Sequence, residues 1–159
     1  MPGDKALRDH LLWLLDGGMA HVTFPRAVAG LKESLRGQKP RGLPYTPWQQ
    51  VEHMRISQWD ILEYIRNLGH VSPKWPEGYW PAAVPPRREV WEVSIRAFKA
   101  DVRALKALVA DPSTRLTAQI PHAQRGHTVL REVLLAADHN AYHLGQLIVL
   151  RRVLGAWPE

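Results

Sequence analysis

The sequence predicts an all-α protein: a four-helix bundle with long connections between its second and third helices and between its third and fourth. Three observations carry that expectation. Four long stretches repeat apolar residues every three or four positions, the period of one helix face. No stretch alternates apolar and polar residues for long enough to make a useful strand. The segments between the periodic stretches are rich in proline and glycine, which end helices.

Residues 4–16 (DKALRDHLLWLLD) place apolar side chains at 7, 11, 12, 14 and 15, an amphipathic first helix. Gly17-Gly18 interrupts it. Residues 20–35 then resume a helical pattern with Pro25 near its first turn, so the first helix is expected to be broken or kinked. His10 and His21 on this element read as surface or hydrogen-bonded core histidines. Residues 36–45 form a Gly/Pro-rich connection. The second helix has the clearest start: Thr46 at the N-cap, Pro47 at the first helical position and Gln49 three residues after the cap. It should run to about Asn67, with Gly69 supplying the stop. Trp48, Val51, Ile56, Trp59, Ile61, Leu62 and Ile65 cover much of its surface. A polar stripe of His53, Ser57, Asp60 and Tyr64 remains, either one solvent face or the lining of an internal site.

Residues 71–86 (VSPKWPEGYWPAAVPP) hold five prolines, two tryptophans and a tyrosine. That excludes a helix or a central strand, and the aromatic content argues against a floppy linker. Such a loop should pack on the body, cover a site mouth or bury itself against a second subunit. The third helix, residues 87–109, has Trp91, Ile95, Phe98, Val102, Leu105 and Val109 on one face. Arg88, Glu92, Lys99, Arg103 and Lys106 lie on the other. Asp111-Pro112 ends it, and an irregular connection follows to Gly126. Thr128 caps the fourth helix, which runs to about Leu154, and Arg151 and Arg152 in its last turn suit the helix dipole.

At 159 residues the chain fits one domain, 1–159, with room for a substantial core. It contains no cysteine, which excludes disulfides, thiolate ligands and a cysteine nucleophile. There is no N-terminal basic stretch leading into an apolar run, and no segment is long and apolar enough to span a membrane. A soluble cytoplasmic protein is expected. The net charge is +6, from 21 basic and 15 acidic residues. The basic residues are scattered and mostly have acidic neighbours, so the charge reads as solvated surface, with a role in attracting an anionic small molecule left open.

The chemistry concentrates in residues 132–145 (EVLLAADHNAYHLG). His139 and His143 are four residues apart, about 40° around a helix and about 6 Å along it, so both imidazoles share a face. Leu135, Ala136, Leu147 and Leu150 fall near the same stripe, which turns the pair inward. A buried imidazole needs a partner. The spacing alone leaves two readings open, core histidines hydrogen-bonded to neighbouring helices or a metal site. If the second and fourth helices are neighbours, His53 completes a set of three nitrogens, the donor set of a catalytic zinc-type centre with one position for water. Ni²⁺, Fe²⁺ and Mn²⁺ also accept imidazole.

Residues 48–60 (WQQVEHMRISQWD) and 138–152 (DHNAYHLGQLIVLRR) closely resemble the DinB/YfiT-like family, and the resemblance covers nearly the whole chain. It implies a four-helix bundle with the second and fourth helices packed together and a metal-binding triad at His53, His139 and His143. Some relatives bind zinc or nickel and transfer thiol cofactors such as bacillithiol or mycothiol, one branch isomerises maleylpyruvate, and many have no assigned reaction. Homodimers are common in the family. With the resemblance added, metal ligation outweighs the core-histidine reading.

Outside the triad, Asp60 and Gln146 are candidates to orient a ligand imidazole or hold metal-bound water, against the alternative of a polar pair bridging two helices. Trp48 and Tyr64 read as packing residues. Glu132 reads as an ordinary exposed carboxylate or else a base, and His122 and His127 as surface groups or neighbours of the site mouth. The leading functional expectation is an enzyme that uses one divalent transition metal, zinc or nickel, on a small-molecule substrate. A low-molecular-weight thiol would be its co-substrate in S-transfer, with hydrolysis as a variant. The alternative is a non-catalytic, stress-responsive metal-binding bundle, and nucleic-acid binding ranks last.

Overall fold

A computed structural model describes residues 2–84 and 87–158. Residues 85 and 86, the end of the aromatic loop expected at 71–86, lie outside the described residues. The described chain is helical, with six helices and no strand: α1 (Pro2–Asp16), α2 (Phe24–Val28), α3 (Glu33–Arg36), α4 (Pro47–Arg66), α5 (Arg88–Ala110) and α6 (Val129–Val153). α4 packs on both α5 and α6, α1 packs on the same two helices, and the short α2 and α3 lie against α6 and α4 respectively.

The expected start signals form as hydrogen bonds. Gln49 N–H donates to Thr46 Oγ1 and Thr46 N–H donates to Gln49 Oε1, each at 3.1 Å, so two otherwise orphaned amides at the head of α4 are satisfied. Arg131 N–H donates to Thr128 Oγ1 at the head of α6. α4 ends one residue early, at Arg66, where Asn67 turns extended and its side chain accepts from Gly69 N–H.

The expected helical run over 20–35 is corrected. The structure holds two short helices there instead, parted at Gly30, whose φ of +68° lies in the left-handed region that a helix cannot use. Phe24, Ala27, Val28 and Leu31 keep helical spacing and are all buried, so the core is served although the backbone breaks.

The core forms two clusters. Around one lie Phe24, Trp48, Met54, Trp91, Phe98 and Leu147, and around the other Leu11, Leu62, Leu105, Leu116, Ile120 and Val133. On α4 the first cluster uses positions up to 54 and the second begins at 61. On α6 the second ends at 136 and the first begins at 144. His139 and His143 occupy the α6 gap, and His53 lies beside Met54 at the edge of the first cluster on α4. Buried arginines tie the ends down. Arg8 of α1 donates to the carbonyls of Val109, Asp111 and Thr114 at 2.7–2.8 Å, closing the C-terminal end of α5. Arg151 donates to the carbonyls of Ala27 and Ala156.

Candidate metal centre

The capping box fixes the first turn of α4, and His53 comes one turn later, on the face turned toward α6. From α6, His139 and His143 meet it. The Nε2 atoms of His139 and His143 each lie 3.1 Å from Nε2 of His53. One ligand atom from each of the three residues falls within 4.8 Å of the others. His53 and His143 are buried and His139 is half-buried.

The outer ring nitrogens determine what the inner ones can do. His53 Nδ1 is 3.0 Å from the carbonyl of Tyr79, which only accepts, so Nδ1 carries the proton and Nε2 presents a lone pair. His143 Nδ1 is 2.8 Å from Gln50 Oε1, which sets the same tautomer. Gln50 is itself 2% exposed, so water does not compete for that bond. Two lone pairs then point at one another across 3.1 Å, an arrangement that a shared cation relieves. His139 has no such partner: its Nδ1 is buried and unpaired, as is Oδ1 of Asn140.

Burial favours the uncharged rings. It lowers the pKa of His53. Burial and the neighbouring His53 bring His139 down to about 4, while burial and the two other imidazoles bring His143 down to about 3. The rings are therefore neutral and available as ligands at physiological pH. A tetrahedral ion with metal–nitrogen bonds of about 2.0–2.1 Å holds its ligand nitrogens about 3.3–3.4 Å apart, so the donor set fits a divalent ion with little movement.

The aromatic loop closes over this cluster. Trp80 stacks on the face of His53 (centroids 3.9 Å apart, planes 4° from parallel), and Tyr45 stacks on the other face of Trp80 at 3.8 Å. Gln49 Nε2 donates to the carbonyl of Pro81, the Tyr79 carbonyl takes the His53 proton, and the Tyr79 hydroxyl donates to Asp60 Oδ2 at 2.6 Å. Burial and the Asp60 carboxylate push the pKa of that hydroxyl well up, so it stays a donor. Beside the cluster a chamber of about 720 Å³ opens between the loop, α4 and α6.

The polar stripe on α4 lines this chamber through His53, Ser57 and Asp60, while its last member, Tyr64, leaves it for His127. Asp60 touches no ligand imidazole: it binds His70 Nε2 (2.7 Å) and the Tyr79 hydroxyl, and so reaches His53 only through Tyr79. Gln146 lines the chamber. Three expectations need correction. Glu132 is 2% exposed rather than solvated, and is paired with Arg131 at 2.5 Å away from the chamber. His122 and His127 bind Tyr64 instead of the site mouth. Leu135 is 39% exposed and lies on the chamber wall, not in the core. Trp48 packs in the core as expected.

Gln50, Tyr79, Trp80, Tyr45 and His70 were not singled out from sequence. Gln50 sits within the quoted 48–60 motif, three residues before His53 and so on its side of the helix, which is a usable signal. Tyr79 and Trp80 join the site through the course of the loop, His70 from just before it, and Tyr45 from the connection that leads into α4.

Fold and site together define an all-α bundle with a three-histidine cluster able to hold a divalent transition metal. A family model described as the DinB superfamily matches residues 20–147, and the chain belongs to that superfamily. No curated protein and no solved structure matches it.

Proposed function

We propose that the protein is a metal-dependent enzyme acting on a small molecule, with His53, His139 and His143 as ligands of one zinc or nickel ion and S-transfer from a low-molecular-weight thiol as its reaction. The observation that carries this reading is the convergence of three Nε2 atoms, two of them with their outer nitrogens bonded so that the inner lone pairs are free. A bound divalent ion would lower the pKa of a thiol or water held at its fourth position. The donor set carries no charge of its own, so an anionic fourth ligand is favoured. In S-transfer the thiol loses its proton, its sulfur forms a bond to the electrophilic carbon, and the leaving group departs with its electron pair. The chain's own part is to fix two rings through Gln50 and Tyr79, to shield the site with the Trp80 loop and to hold the co-substrate in the chamber.

A non-catalytic ion that mainly clamps α4 to α6 is the second reading, supported by ligands drawn from two helices. Three protein ligands beside an open chamber favour the enzyme, since structural zinc is usually closed by four. Elemental analysis of untagged protein should find about one transition metal per chain. His143→Ala should abolish it. Retention of metal by that variant would end the reading. Turnover of an electrophile with a panel of thiols, lost on chelation, separates the enzyme from the clamp.

A further inference from the structure

The chamber beside the histidines is walled by Tyr45, Trp75, Tyr79, Trp80 and Tyr142, and among the described residues lining it there is no lysine or arginine. Its one carboxylate, Asp60, already accepts from His70 and Tyr79. The excess positive charge of the chain therefore lies elsewhere. An anionic group on a bound molecule would find no cationic side chain in the chamber, and it would exchange part of its hydration for neutral donors alone. A bound divalent ion is the exception, and it has room for one anionic donor.

We infer that the site takes an aryl ligand with no charge beyond its donor atom: a flat, apolar body that stacks among the aromatic walls, with a single anionic donor for the ion. This rests on the metal reading above and narrows its substrate class. Trp75 and Tyr142 line the chamber as exposed rings, 66% and 63% accessible, and supply stacking surface not already consumed by the fold. Trp80 and Tyr45 are already stacked on each other and on His53.

The test uses the full chain loaded with cobalt(II), whose visible spectrum reports ligand exchange. Two matched pairs are titrated: phenylmethanethiol against its para-carboxylated counterpart, and benzohydroxamate against its para-carboxylated counterpart. The member without the carboxylate should bind at least about tenfold more tightly in each pair, the scale of a carboxylate that gives up part of its hydration with no cationic partner. Trp75→Ala should weaken benzohydroxamate and leave acetohydroxamate, which has no ring, unchanged. Equal or tighter binding of the carboxylated partner overturns the inference, as does bound cobalt that no aryl hydroxamate reaches. Selectivity among hydroxamates with no thiol binding supports the inference while sinking S-transfer. Failure to take up cobalt sinks both.

Discussion

Gln50→Leu tests whether the hydrogen bond behind His143 prepares it as a ligand. The Nδ1–H of His143 donates to Gln50 Oε1 at 2.8 Å, and both side chains are buried. Leucine removes the acceptor at similar volume. With a metal on Nε2 the proton must stay on Nδ1, and a buried unpaired donor costs about 1–3 kcal/mol. The metal-free chain escapes that cost, because the proton can move to Nε2 and donate to His53 Nε2, 3.1 Å away. The penalty therefore falls on the metal-bound state alone. It should weaken zinc affinity by about 10–100-fold, the range typical for partners behind metal ligands. Competition against a chelating dye measures the affinity, and thermal melts with and without zinc measure the two stabilities. The reasoning is refuted if affinity is unchanged while His143→Ala abolishes binding, or if the metal-free melt falls as far as the zinc-loaded one.

Three further expectations follow from the same geometry. His139 and His143 titrate near 4 and 3 in the fold but near the ordinary value when unfolded. Below about pH 6.5 the unfolded chain binds protons that the folded chain refuses, so metal-free stability should fall as pH drops from about 6.5 toward about 4. Urea unfolding across that window checks it, and a flat or opposite slope would mean the rings are charged in the fold. Arg8→Ala strips partners from three carbonyls at the end of α5 and should cost about 2–4 kcal/mol in denaturant unfolding. A loss below about 0.5 kcal/mol would place those carbonyls in contact with water. Asp60→Ala removes the acceptor of both His70 and Tyr79 and should speed proteolytic cleavage within residues 71–84. Unchanged cleavage would show that stacking of Trp80 alone holds the loop.

What could be read from the sequence was local. Thr46, Pro47 and Gln49 are a start signal because cap, first position and returning side chain lie within one turn, and the structure forms both bonds. His139 and His143 declare a shared face because their spacing is a property of one helix. The break at Gly30 was hidden for the opposite reason: Phe24, Ala27, Val28 and Leu31 keep a helical rhythm that serves burial whether or not the backbone stays helical. Asp60 was noticed by its place on the α4 stripe, yet its partners come from His70 and Tyr79, ten and nineteen positions away through an irregular loop. Glu132 looked like surface because a charged residue in a first turn usually is. Nothing in its neighbourhood along the chain announces that it is buried.

His53 and His143 stand 90 positions apart. During synthesis on a ribosome, α4 emerges with one imidazole long before α6 exists to offer the other two. No early portion of the nascent polypeptide owns the complete chelating set, and an ion met at that stage finds only one of its three imidazoles. Capture by all three would have to wait until the chain has collapsed around both core clusters, which would make metal loading one of the final events in the life of a newly made molecule.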